Sequence, residues 1–133
     1  MISLIANIYI LAGNAKTAHW NIQGSAFYGI HKLLDETEEM LRSHGDKLAE
    51  RMRFHQEMPD ITLAALKNFD EMPELDPGKD YKKQTQTIVD GLLAIHSLAD
   101  DIRDDYDSCE NSMLDMLQED TGKYIYLLTS IIS

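Results

Sequence analysis

Four stretches of this chain repeat apolar residues at steps of three and four, and that rhythm constrains the fold more than any other feature. Leu4, Ile8, Leu11, Ala15, Ala18 and Ile22 form the first stripe, and Ile30, Leu34, Thr37, Leu41, Leu48 and Met52 the second. Tyr81, Thr85, Ile88, Leu92, Ile95, Ala99 and Ile102 form the third, and Leu114, Leu117, Thr121, Tyr124, Leu128 and Ile131 the fourth. Each is the buried face of an amphipathic helix. The first helix should end near Gln23, where Gly24 and Ser25 make a stop and restart: glycine tolerates a left-handed cap, and serine can accept from the next helix's free amides. The second runs to about His55, short of Pro59, which makes it about 40 Å long at 1.5 Å per residue.

Between the second and third stripes, Ile61, Leu63, Leu66 and Phe69 suffice for a short helix, and Pro73, Pro77 and Gly78 then punctuate a polar turn. The third and fourth helices should break near Tyr106 to Ser108, where apolar rhythm gives way to acids. The expected fold is all-α: a ferritin-like four-helix bundle with a short extra helix in the connection between helices two and three. With 133 residues and no linker or repeat, one domain over 1–133 is expected.

The charge is −11, from 12 basic and 23 acidic residues, so the surface should draw cations and repel nucleic-acid phosphates. A single cysteine, Cys109, leaves no internal disulfide and suits a reducing cytoplasm. The apolar start, MISLIANIYILAG, lacks a preceding basic residue and falls short of the roughly 20 residues that span a bilayer; it reads as a buried helix.

Chemistry concentrates between His19 and Glu50. On the second helix His31 and Asp35 are four apart, as are Asp46 and Glu50, so each pair projects from one face and can grip one ion. Asp35 and Asp46 lie about 16 Å apart along the axis, too far for one metal to touch both pairs. However, both pairs are symmetric about the point between Met40 and Leu41. An antiparallel copy related by a two-fold axis there would set His31 and Asp35 of one chain against Asp46 and Glu50 of the other. His19 joins if the first helix packs back along the second. Two imidazoles and three carboxylates suit Fe(II), and also Mn or Zn. No histidine has a glutamate three residues before it, so the Glu-x-x-His motif of an intrachain di-iron bundle is absent. Trp20 is expected to pack; His44, His55 and His96 to serve packing or surface roles; Met40, Met52, Met113 and Met116, spread over several helices, to fill gaps and not to form a copper site.

The pattern His19-Trp20-Asn21-x-x-Gly24-x-x-Phe27-x-x-x-His31-x-x-x-Asp35, followed by Asp46-x-x-x-Glu50-Arg51, resembles the Dps family, the DNA-protecting miniferritins of bacteria. Weaker similarity continues through Thr62-Leu63-Ala64-Ala65-Leu66-Lys67 to the chain end. The resemblance implies a dodecamer with ferroxidase centres at two-fold interfaces, built from His19, His31 and Asp35 of one subunit and Asp46 and Glu50 of its partner. It implies Fe(II) oxidation with hydrogen peroxide in preference to dioxygen, storage of ferric mineral, and protection from oxidative damage in a bacterial cytoplasm. Asp107, Glu110 and Asp115 are candidates to line a three-fold pore for iron, although Ser112 stands where the family pattern leads one to expect an aspartate. No basic residue precedes Lys16, so with the negative charge direct DNA binding is not expected. The competing readings are a non-catalytic cage or dimer-forming bundle, whose polar stripe is only an interface, and a DNA-compacting protein.

Overall fold

A computed structural model describes residues 1–133 and contains helices α1 (Ile2–Asn21), α2 (Phe27–Phe54), α3 (Leu63–Phe69), α4 (Tyr81–Ile102) and α5 (Ser108–Ile132), with a 3-10 turn at Arg103–Asp105. The elements fall where the apolar stripes place them, and there is no strand, only an isolated bridge between Gln23 and Asp80. No helix is long and apolar enough to cross a membrane.

Two contacts between element ends fix the topology. The Gln23 amide donates to the Lys79 carbonyl at 2.9 Å, so α4 begins where α1 ends and runs parallel to α2. At the opposite end Arg51 pairs with Glu110, so α5 starts where α2 finishes and returns beside it. The neighbours around the bundle are therefore α1 with α2, α2 with α5, α5 with α4 and α4 with α1. The chain between α2 and α4 must cross the full length of the bundle, and α3 lies on that crossing against α1. Asn7, wholly buried in the apolar face of α1, clamps it there. Its Nδ2 donates to the Phe69 carbonyl and its Oδ1 accepts from the Glu71 amide.

One core cluster joins α1, α2, α4 and α5, with Leu11, Leu34, Leu41, Leu92, Ile95, Leu114 and Leu128 at its centre. The threonines in the stripes, Thr37, Thr85 and Thr121, are all buried. Thr37 and Thr121 lose little by this, because each hydroxyl donates to a carbonyl on its own helix. Ile131, expected in the fourth stripe, is instead exposed on the last turn of α5.

The α1–α2 joint differs from expectation in one respect. Ser25 does not cap α2; the cap position is Ala26, and no side chain serves the free amides there. The joint is closed by backbone, Phe27 to Gly24 and Gln23 to Lys79. Gly24 has φ +125° and lies under the Tyr81 ring, where a Cβ would come within 2.7 Å of Cδ1. Any other residue there would be both strained and obstructed. The joint is thereby pinned to α4, and it sets the angle at which α1 delivers His19 to α2. Side chains do cap the later helices: Thr62 on α3, Asp80 on α4 and Asp107 on α5.

Candidate metal centre

His19 stands on the last turn of α1 and His31 on the second turn of α2, and the two clasp each other reciprocally. The His19 Nδ1 donates to the His31 carbonyl at 2.6 Å, and the His31 Nδ1 donates to the His19 carbonyl at 2.7 Å. Because a carbonyl can only accept, each ring carries its proton on Nδ1 and its free lone pair on Nε2. The rings stack with centroids 3.7 Å apart and planes 11° from parallel, and Phe27 packs against the outer face of His31. Each Nε2 is thus left with a free lone pair on a ring whose other nitrogen is fixed by a carbonyl, the kind of partner that an outer shell supplies to a metal-binding histidine.

Asp35 lies one turn beyond His31 on α2. Its Oδ1 accepts from Lys16 Nζ at 2.5 Å, and Lys16 also stands 3.7 Å from Glu38. Glu38 is itself buried and paired with Arg42. The Lys16 ammonium, aided by the two imidazoles, holds the Asp35 carboxyl below the usual carboxylate range. Trp20, expected to pack, is instead 68 % exposed beside this cluster.

The other pair contrasts with this. Asp46 and Glu50 are exposed on α2 and make no side-chain hydrogen bond or ion pair within the chain. Within one chain no group of three or more histidine, cysteine, aspartate or glutamate side chains converges to hold a metal. The helix bounds add a further relation: α2 runs from Phe27 to Phe54, so its own centre falls between Met40 and Leu41, the point about which the two pairs are mirrored. A two-fold axis there would overlay the helix on its copy end to end while bringing the unlike pairs together.

The three acids considered for a pore all lie at the start of α5, and each has a partner in the chain. Asp107 caps the helix by accepting from the Cys109 amide, and Asp115 pairs with Arg103 at 2.6 Å. Glu110 is 2 % exposed, and its Oε1 accepts from Arg51 Nε at 2.9 Å and His55 Nε2 at 2.6 Å. Hydrogen bonding with Asp107, Arg51 and His55 drives the Glu110 carboxyl far below its ordinary range. Glu110 ties the end of α2 to the start of α5 through Arg51, the residue after Glu50, and His55. Cys109 is exposed.

Sequence reasoning missed Lys16 and Glu38. Lys16 stands three residues before His19, hence on the same face of α1, and that spacing was the available signal. Glu38 gave none, since one glutamate among many acids does not announce burial.

A family model described as a ferritin-like domain matches residues 3–132. Among curated proteins, the chain is 26% identical over 132 residues to the DNA protection during starvation protein of Brevibacillus brevis, covering 96% of this chain and 89% of that one. A segment of 48 residues is 44% identical to the protein of the same name from Agrobacterium fabrum, covering 36% of this chain and 30% of that one. Among solved structures, a Dps protein from Bacillus brevis superposes with a TM-score of 0.87 at 24% identity, covering 99% and 91% of the two chains. Dps from Microbacterium arborescens, solved in a high iron form, gives 0.86 at 20% identity, covering 97% and 87%.

Proposed function

The chain belongs to the ferritin-like family and, within it, to the Dps proteins, and from that premise we propose that it is a ferroxidase subunit of an iron-storing cage. The observation that carries the reading is the clasped His19–His31 pair beside Asp35, mirrored on the same helix by Asp46 and Glu50. Each chain supplies two unlike half-sites, and each two-fold dimer completes two whole ones. The similarity to Dps cages supports twelve subunits enclosing a mineral cavity.

Fe(II) is the substrate. The His19 and His31 Nε2 lone pairs bind it, Asp35 adds the first negative charge, and the partner's Asp46 and Glu50 add two more. Hard anionic oxygens favour Fe(III) over Fe(II), so the site stabilises the product of electron loss. Hydrogen peroxide, the preferred oxidant, takes one electron from each of a pair of Fe(II) ions. Its O–O bond breaks and protons from solvent complete the waters formed. Zn or Mn fits the same donors. The negative surface concentrates cations at the cage, and Asp107 and Asp115, exposed at the start of α5, are the candidates to line a pore. The cage protects its cell, whose cytoplasm is reducing, by consuming iron and peroxide together, and the net charge of −11 argues against direct DNA binding.

The test is an anaerobic Fe(II) titration followed by peroxide, on protein sized by gel filtration. The parent should elute as an assembly, bind Fe(II) and develop ferric absorbance. A His31→Ala/Asp35→Ala variant should oxidise more slowly by more than the roughly 100-fold that loss of an outer-shell partner alone can cost. Equal rates in the two proteins, or a monomeric parent that binds no iron, would remove the proposal.

A further inference from the structure

The ferroxidase reading leaves unused the groove between α2 and α5, on the side of α2 away from α1. It holds a cleft of about 420 Å³ whose lining includes Met40, His44 and Met116. A smaller recess of about 30 Å³ opens beside it between His44, Met113 and Met116. Met40 and His44 are four apart on α2, and Met113 and Met116 three apart on α5, so each helix presents two donors on one face. Met113 and Met116 thus line the recess together with His44, whereas Met40 lines only the wider cleft, because the antiparallel register of His44 with Asp120 and Arg51 with Glu110 sets it about 16 Å from Met113 along the axis.

That histidine is held as a ligand would be. His44 is 8 % exposed, and its Nε2 lies 2.6 Å from Asp120 Oδ2 on α5. With Asp120 accepting the Nε2 proton, the lone pair falls on Nδ1, which has no partner in the protein. A carboxylate fixing one ring nitrogen so that the other can bind is the usual outer shell of a metal-binding histidine. At His19 and His31 carbonyls do this from the opposite nitrogen.

The donors select the ion. Thioethers are soft, neutral ligands that bind hard divalent cations poorly and Cu(I) well, and an imidazole completes such a set. The cleft also carries Lys47 and Lys123 against Glu36, Glu39 and Asp120, a balance that does not repel a monovalent cation. Although the methionines, spread over several helices, read as gap filling in the sequence, we propose that His44, Met113 and Met116 form a Cu(I) site between α2 and α5. It shares no ligand with the ferroxidase centre and stands independently of it.

The test is anaerobic competition for Cu(I) between the assembled protein and the chromogenic chelator bicinchoninate, with ascorbate present. The parent should withhold about one Cu(I) per chain, and copper-edge X-ray absorption should show sulfur scatterers, as soft thioether ligation requires. Met113→Leu/Met116→Leu, which nearly conserves volume, should lose the ion without unfolding. Asp120→Ala should weaken retention by roughly tenfold or more, the loss expected of an outer-shell partner. His31→Ala should retain copper as the parent does. The proposal is overturned if the parent withholds no copper, if the leucine variant holds as much as the parent, if only nitrogen and oxygen scatterers are seen, or if His31→Ala is the variant that releases the ion.

Discussion

The two ends of α2 carry equivalent pairs at equal distances from the helix centre, yet the chain treats them differently. At the first end the histidines are clasped to α1 and Asp35 is held by Lys16. At the second, Asp46 and Glu50 stand in water without partners. The contrast follows from the chemistry of the donors. A neutral imidazole binds through one nitrogen only, so its tautomer and ring plane must be set in advance. A carboxylate accepts from a wide range of directions through either oxygen, so charge and approximate position suffice. The histidine half needs a second helix to prepare it; the acidic half needs only the ion and a neighbouring subunit.

The most severe test of this division is to separate the halves genetically. Asp46→Ala/Glu50→Ala should abolish rapid peroxide-driven oxidation as completely as His31→Ala/Asp35→Ala does, although it touches no ordered contact. Co-refolding the two inactive variants in equal amounts then gives mixed dimers in which one site has lost both halves and the other has both intact. Random pairing should restore about a quarter of the parental rate if sites form across a two-fold axis. Failure of the mixture to recover, with assembly confirmed by gel filtration, would mean that the halves do not meet between chains.

The end of α2 that carries the acidic half is tied to α5 by Glu110, through Arg51 and His55. Removing one member of a wholly buried ion pair costs roughly 3–5 kcal/mol. Arg51 and His55 keep contact with water, which lowers the expected loss in Glu110→Ala to about 2 kcal/mol. Its sign with pH is set by the depressed carboxyl. The stabilisation is fully present above the unfolded value, about 4.3, and disappears as pH falls through the lower folded value. Urea midpoints should therefore separate parent from variant at neutral pH and converge in acid. Hydrogen exchange should show faster opening of α2 near Glu50 than near His31; uniform opening would contradict the view that the two ends are held separately.

A smaller effect is expected at Gly45, beside Asp46, where a Cβ would come within 2.7 Å of the Tyr9 ring on α1. Overpacking of about 1–3 kcal/mol, set against about 1 kcal/mol gained in helix propensity, should leave Gly45→Ala less stable by roughly 1 kcal/mol in thermal unfolding. A variant as stable as its parent would show that α1 approaches the acidic end of α2 less closely than it does the histidine end.

What was legible in the sequence divides along similar lines. Helices with a continuous apolar face, from Leu4 to Ile22 or Ile88 to Ala99, declare themselves because burial repeats with the helical period. Even the unmarked joint before α5 was visible as lost rhythm, and Asp107 proves to cap the helix that follows. The mirrored pairs were legible because spacing on one helix is arithmetic. Contacts between helices were not. That His19 and His31 exchange carbonyls, that Gly24 lies under Tyr81 and that Glu110 is buried depend on how two helices are rotated toward each other, which no single stripe encodes. Ser25 failed as a cap for the same reason: the joint is closed by α4, which arrives from more than fifty residues away.

Lys16 offers the finest adjustment of the contrast, because it is the one element that makes the histidine end more occupied than the acidic end. Its ammonium sits on Asp35 Oδ1, one of the two oxygens an arriving cation could take, so binding Fe(II) sets one cation against another. Lys16→Met keeps the aliphatic bulk against α2 and removes the competitor. Because the Asp35 carboxylate is accessible to water, the ammonium is screened and the gain is limited: Fe(II) should bind roughly fivefold more tightly, the scale of an exposed ion pair. The effect should shrink at high salt, as exchange between exposed charges does. The same substitution should leave the stacking of His19 and His31 intact, since their clasp runs through carbonyls and not through Asp35. Weaker binding in Lys16→Met would reverse the assignment: Lys16 would then orient Asp35 for the metal, and both of its neighbours on the histidine end would be prepared ligands.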